Sequence, residues 1–165
     1  MKILYLVRHA KSSWKDDSIS DAERPLNKRG ERDAPFMAEL LYRKGIQPDL
    51  LVSSPALRAL STAKIFAKTF EYLEGRILVE DSAYLAEIDD IWRVVRTFDN
   101  GSDSAMLFGH NPGFTEFVNL FDNVYIDNVP TSGVVCIAFS SENWEFCSAE
   151  HAKVMWVEYP KLYLH

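Results

Sequence analysis

The stretch LYLVRHAKSSW, residues 4 to 14, decides the fold. Leu4, Tyr5, Leu6 and Val7 make a near-continuous apolar run, which suits a strand covered on both faces within a parallel sheet. Arg8 and His9 then stand where such a strand leaves the core. In open α/β folds, ligands bind in the crevice beyond the carboxyl ends of the strands. The pair is therefore either chemistry or a strand reaching water, and the other strand ends have to arbitrate.

Working outward, strand signals alternate with helical ones. A polar loop, Lys11 to Arg24, follows the first strand. Met37, Leu40, Leu41 and Lys44 have helical spacing and predict a helix over Lys28 to Lys44, which Pro35 either kinks or restarts, with Gly45 as its stop. DLLVS, Asp49 to Ser53, reads as a second buried strand. Ser54 as N-cap and Pro55 at the first helical position predict a helix running to about Lys68. Arg76 to Val79 reads as a short strand and Ile88 to Phe98 as a helix. AMLF, Ala105 to Phe108, is a further buried strand, after which Asn111 and Pro112 open a helix reaching about Phe121. Gly133 to Phe139, Trp144 to Ala149 and Val154 to Val157 read as antiparallel strands. A turn centred on Ser141 and Glu142 would pair Phe139 with Trp144, Ile137 with Phe146 and Cys136 with Cys147. The pattern predicts one domain over residues 1–165, a three-layer α/β/α fold. Its central sheet is mostly parallel, with antiparallel C-terminal strands.

Bulk numbers narrow the function. A chain of 165 residues with 47% hydrophobic content can bury a sizeable core. The net charge of −6 leaves no basic surplus to neutralise a nucleic-acid backbone. No apolar run is long enough for a membrane-spanning helix, and Ile3 to Val7 is too short for a signal-peptide core. The expectation is a cytoplasmic protein that binds neither nucleic acid nor membrane. Its two cysteines rule out a disulfide scaffold, and no ligand spacing supports a metal or other cofactor.

Three strands end in VRHA, VSSPALR and FGHNPG, and each carries cationic or imidazole side chains to the mouth of the sheet. If those strands are neighbours, Arg8, His9, Arg58 and His110 converge on a dianion site, because guanidinium groups bind phosphate bidentately. A neutral imidazole with one nitrogen free and the other held by an acceptor is also a nucleophile toward phosphorus. Taken singly each residue has a plainer reading: a strand end, a solvated arginine, a loop histidine. Their order and shared location favour the site. Trp14 and Trp92 read as packing residues, with rim aromatics as the alternative for both, and His151 and His165 carry no role.

LVRHA (Leu6 to Ala10), RPLNKRG (Arg24 to Gly30), SSPALRALSTA (Ser53 to Ala63) and GHNPG (Gly109 to Gly113) resemble the histidine phosphatase superfamily, branch 1. LVRHAKSSW with a downstream RPLNKRG is most similar to its SixA-type phosphohistidine phosphatases. The resemblance covers Met1 to about Phe139 and implies a phosphoglycerate-mutase-like fold. It implies that His9 is the phosphorylated nucleophile, that Arg8, Arg58 and His110 hold the phosphoryl oxygens, and that Ser12 adds a polar group to the pocket. Ala10 replaces the usual glycine after the Arg-His pair, a steric cost if φ is positive there. Larger relatives carry a carboxylate general acid. Here AYLAEIDD, Ala83 to Asp90, offers Glu87 first, then Asp89 and Asp81, against the alternative of a solvated acidic loop. The short span between Arg58 and His110 suggests an open site suited to a phosphorylated protein. The substrate expected is phosphohistidine on a partner, such as a phosphotransfer protein, or else a small phosphoester. A phosphoglycerate-type mutase and a non-catalytic phosphate-binding module are the competing readings.

Overall fold

The computed structural model describes residues 1–164, so His165 lies outside the described residues. Its centre is a six-stranded sheet formed by β1 (Lys2–Arg8), β2 (Leu50–Ser53), β3 (Leu78–Val79), β4 (Ser104–Gly109), β5 (Val134–Phe139) and β6 (Ala152–Glu158). The spatial order is β3-β2-β4-β1-β5-β6. The pairs from β3 through β1 are parallel, while β5 and β6 run antiparallel. The helices are α1 (Lys28–Arg43), α2 (Leu57–Thr69), α3 (Ile88–Val95) and α4 (Gly113–Val118).

Strand alternation assigns the two faces. Leu4, Leu6, Ala105, Leu107, Val135 and Ile137 point into one core with Ile91, Val94, Phe114 and Phe117 of α3 and α4. Val7, Met106, Phe108 and Val134 point the other way, against Met37, Ala38 and Leu41 of α1 and Ala63 and Phe66 of α2. The chain leaving β1 thus reaches one face and the chain leaving adjacent β4 the other. That divergence opens a crevice at the carboxyl ends of the two strands. The mostly parallel three-layer fold read from the sequence is the one observed.

Local boundaries differ in instructive ways. The Asn27 side chain accepts from Gly30 N at 2.9 Å and caps α1, which passes through Pro35 unbroken and ends with Gly45 at φ +82°. The expected cap at Ser54 is instead a turn: Ser54 Oγ accepts from Ala56 N at 3.2 Å, and α2 starts at Leu57. After β4, Asn111 Oδ1 accepts from Thr115 N and Thr115 Oγ1, and α4 stops at Val118, short of Phe121.

The C-terminal hairpin is corrected. β5 pairs with β6, Phe139 opposite Ala152, and residues 144–146 form a 3-10 turn rather than a strand. Trp144 and Cys147 are buried while Phe146 is 69% exposed, a period of three that an extended strand does not have. Trp144 Nε1 donates to Ser102 O, so its burial leaves no unpaired donor. Cys136 and Cys147 therefore do not face each other across a ladder; both are free and buried, and burial pushes their thiols up to about 12 and about 11.

Candidate active site

Register builds the site before any side chain is considered. Arg8 lies opposite Gly109, and His9 N donates to Gly109 O at 3.0 Å, which sets the His9 and His110 backbones side by side. Ser54 N donates to Phe108 O at 3.0 Å and brings the end of β2 to the same crevice. Thr62, wholly buried on α2, locks the arrangement: its Oγ1 accepts from Ala10 N and donates to Arg58 O. Ala10 is fully buried and is not among the positive-φ residues, so the steric cost anticipated for it does not arise.

The result is a cavity of about 230 Å³ lined by Arg8, His9, Ser12, Arg58 and His110, with Arg24 and Asp21 beside them. All the residues singled out in the sequence are thus brought together except Glu87. Glu87 caps α3: its side chain accepts from the Asp90 backbone while Asp90 Oδ2 accepts from Glu87 N, and the residue is exposed. Neither it nor Asp81 nor Asp89 lines the cavity. Ser12 is 5% exposed and its Oγ accepts from Arg24 at 2.8 Å, so it fixes a guanidinium at the wall.

The two imidazoles have defined tautomers. His9 Nδ1 lies 2.8 Å from Ala10 O; a carbonyl only accepts, so Nδ1 carries the proton and Nε2 keeps its lone pair. Burial, with help from the Arg58, Arg8 and Arg24 charges, pushes the His9 pKa down to about 4. His110 Nε2 lies 2.7 Å from Ser54 Oγ. Ser54 is fully buried, and among the described residues Nε2 is the sole acceptor within reach of its hydroxyl proton, so the hydroxyl donates to Nε2 while accepting from Ala56 N, leaving His110 Nδ1 as a donor. Burial first, then the neighbouring His9 and Arg58, push His110 down to about 3, so it too is neutral.

Three donors remain unpaired in the buried wall: Arg8 Nε, Arg58 Nε and His110 Nδ1. Buried polar groups are nearly always hydrogen-bonded, and three N–H groups without a protein partner on side chains lining one cavity are suited to receive an oxyanion. The outer guanidinium nitrogens are used structurally. Arg8 donates to Val129 O at 2.9 Å, and Arg58 donates to Asp21 O at 2.7 Å and Asp21 Oδ2 at 3.0 Å. Asp21 also receives Arg24 Nε at 3.1 Å and the Tyr84 hydroxyl. Tyr84 first, then Arg58 and Arg24, hold the Asp21 carboxyl down at about 2. Among the described residues it is the sole carboxylate lining the cavity, and it is ionised at neutral pH.

With this geometry in place, comparison with known proteins is informative. A family model for the histidine phosphatase superfamily (branch 1) matches residues 4–90, more than half of the chain. The chain belongs to that superfamily. As a histidine phosphatase it is 32% identical over 150 residues to an uncharacterized chloroplastic protein of Arabidopsis thaliana, covering 86% of this chain and 68% of that one. Its fold matches the protein histidine phosphatase SixA complexed with tungstate at TM-score 0.81 and 20% identity, over 97% and 98% of the two chains. The putative phosphohistidine phosphatase SixA from Agrobacterium tumefaciens matches at TM-score 0.79 and 25% identity, over 96% and 98%. Among the described residues no helix is long and apolar enough to cross a membrane.

Several residues of this histidine phosphatase site are not evident from its sequence. Arg24 stands inside the RPLNKRG motif and Ser54 inside SSPALR, so their neighbourhood was signalled but not their contacts. Asp21 and Tyr84 had no signal at all, being brought to Arg58 across 37 and 26 positions of chain respectively, with 63 between Asp21 and Tyr84. Trp14 takes the alternative of its two readings and not the packing role: it is 69% exposed and stacks on the Arg24 guanidinium at 3.4 Å, on the cavity rim. Trp92 packs in the core against Phe117, as expected of it.

Proposed function

We propose that this histidine phosphatase hydrolyses phosphohistidine on a partner protein through a phosphorylated His9. The His9 Nε2 lone pair attacks phosphorus, the bond from phosphorus to the leaving atom breaks, and the phosphoryl group resides on Nε2. Water then attacks the same phosphorus, the Nε2–P bond breaks, and inorganic phosphate leaves with His9 neutral again. Arg8 and Arg58 with their free Nε–H groups, and His110 with its Nδ1–H, hold the phosphoryl oxygens as charge redistributes. Burial keeps His9 unprotonated, which is the form the attack needs. Positive charge for the transition state comes from the guanidinium groups, and no step is routed through a metal or other cofactor.

The observation that carries this reading is the His9 Nδ1 contact with Ala10 O, because it leaves Nε2 as the unshared nitrogen in a cationic cavity. The proton inventory supports the substrate class. Asp21 is held ionised and has no proton ready for a leaving oxygen at neutral pH, and Glu87 is occupied in a helix cap away from the cavity. A phosphorylated imidazole brings its own proton and departs neutral. Exposed Trp14 and Leu85 on the cavity lining suit a macromolecular substrate better than an enclosed metabolite.

The test compares phosphate release from a phosphohistidine protein, a phosphotyrosine peptide and a small aryl phosphate. A preference above roughly a hundredfold, about 2.7 kcal/mol of transition-state stabilisation, supports the phosphohistidine reading. Acid-labile phosphate trapped on the wild type and absent from His9→Ala supports the intermediate. Equal turnover of the aryl phosphate overturns the substrate class, and binding of phosphate without turnover overturns the enzyme.

A further inference from the structure

A second cavity, of about 430 Å³, shares Arg8, Lys11 and Thr131 with the first. Beyond them it is lined by Arg29 at the start of α1, Asn128 before Pro130, and Lys161 in the C-terminal 3-10 turn. Four cations therefore face one space, and among the described residues no carboxylate lines it. This is a local inversion on a chain whose net charge is −6. Among the described residues Lys11 and Lys161 have no ion-pair partner. Arg29 reaches only Asp33, at 3.5 Å, and that carboxylate is held more closely by Arg32 at 2.8 Å. Like charges gathered without counter-charges destabilise a fold, and a cleft of one sign focuses its field on an incoming opposite charge.

Resting on the proposed protein substrate, we infer that this cavity is a docking subsite for an acidic side chain of that partner, close to its phosphorylated residue. Arg8 connects the two requirements, since its side chain lines both cavities. The exposed Trp14 and Leu85, 69% and 51% exposed, supply apolar contact that a small dianion has no means of using. The occupant chosen by these observations is a polypeptide carrying a carboxylate, not a second phosphate on a small ester.

The experiment uses four peptides, phosphohistidine or phosphotyrosine, each flanked either by Glu or by Gln, plus 3-phosphoglycerate as a small substrate with a second anion. Within each enzyme preparation the readout is the Glu-to-Gln ratio of kcat/KM, which cancels any loss of folded protein. The wild type is expected to favour Glu flanks about fivefold, mainly through KM, the scale of two partly exposed charge pairs. The ratio falls to about one in Lys161→Glu and is reduced in Arg29→Gln, and it shrinks in about 0.5 M salt. A wild-type ratio of one, or a ratio unmoved by Lys161→Glu, overturns the subsite. A 3-phosphoglycerate turnover that falls as far in Lys161→Glu as the Glu peptide does also overturns it, by assigning the cavity to small molecules. Flank dependence with phosphotyrosine but no turnover of phosphohistidine would retain the subsite and overturn the substrate class. Turnover of phosphohistidine with no flank dependence would do the reverse.

Discussion

Acidification below pH 6.5 should destabilise this protein, and two buried histidines set the size of the effect. His9 and His110 are buried, at 7% and 3% exposure, and titrate at about 4 and about 3 instead of the ordinary 6.5. Both folded-state values are depressed, so below pH 6.5 the unfolded chain takes up protons that the folded chain refuses. Stability therefore falls as pH falls. From pH 6.5 to about pH 4.5 each ring contributes a loss of about 2 kcal/mol, at about 1.4 kcal/mol per unit once the unfolded ring is protonated. Together the loss is about 4 kcal/mol, a large part of the 5 to 15 kcal/mol that ordinarily separates folded from unfolded states (roughly). Asp21 does not obscure the range, because its carboxyl sits at about 2 and its contribution is lost only below pH 3.8. The assay is urea unfolding at a series of pH values, in buffers free of phosphate and sulfate, for the wild type, His9→Gln and His110→Gln. Each variant should lose about half of the pH slope. A wild-type loss below about 1 kcal/mol over this range, or slopes identical in all three proteins, refutes the claim that both rings are held neutral by burial.

Other perturbations probe individual contacts. Ser54→Ala removes the hydroxyl that directs the proton of His110, so kcat/KM for an aryl phosphate should fall roughly tenfold, and the buried partners left unpaired should cost about 1 to 3 kcal/mol in denaturant titrations; full activity would show that the tautomer is set elsewhere. Glu87→Gln should leave kcat/KM within about twofold while the weakened cap costs about 0.5 kcal/mol or more, and a drop near a hundredfold would mean that Glu87 reaches the leaving group after all. Gly30→Ala places a Cβ 2.2 Å from Lys11 O, where the start of α1 meets the loop after His9. Backbone has to shift there, so destabilisation of about 1 to 3 kcal/mol is expected in denaturant titrations; unaltered stability would show that the contact relaxes freely.

What could be read from the sequence, and what could not, divides along contact range. The strand ends VRHA, VSSPALR and FGHNPG are local signals, and parallel pairing of their strands necessarily gathers what they carry. Arg8, His9, Arg58 and His110 were accessible for that reason, whereas Ser12 was accessible only through the resemblance of the LVRHAKSSW stretch. Asp21 belongs to a polar loop whose path is set only when Arg58 and Tyr84 arrive, and no local pattern encodes that meeting. The segment from Trp144 to Cys147 misled for a different reason. Its apolar density resembles a strand, yet burial falls at intervals of three and leaves Phe146 in water. Glu87 misled because an acidic residue before a helix serves equally well as a cap or as a proton donor, and the capping box with Asp90 shows which role the backbone has taken.

The stacking of Trp14 on Arg24 gives this molecule an optical handle. Of its four indoles this one lies in water at the cavity rim, flat against a guanidinium that also touches Ser12 and Asp21. A guest that rearranges that guanidinium changes the electrostatic surroundings of the ring at once. Emission from position 14 therefore reads occupancy directly, without a dye and without waiting for turnover.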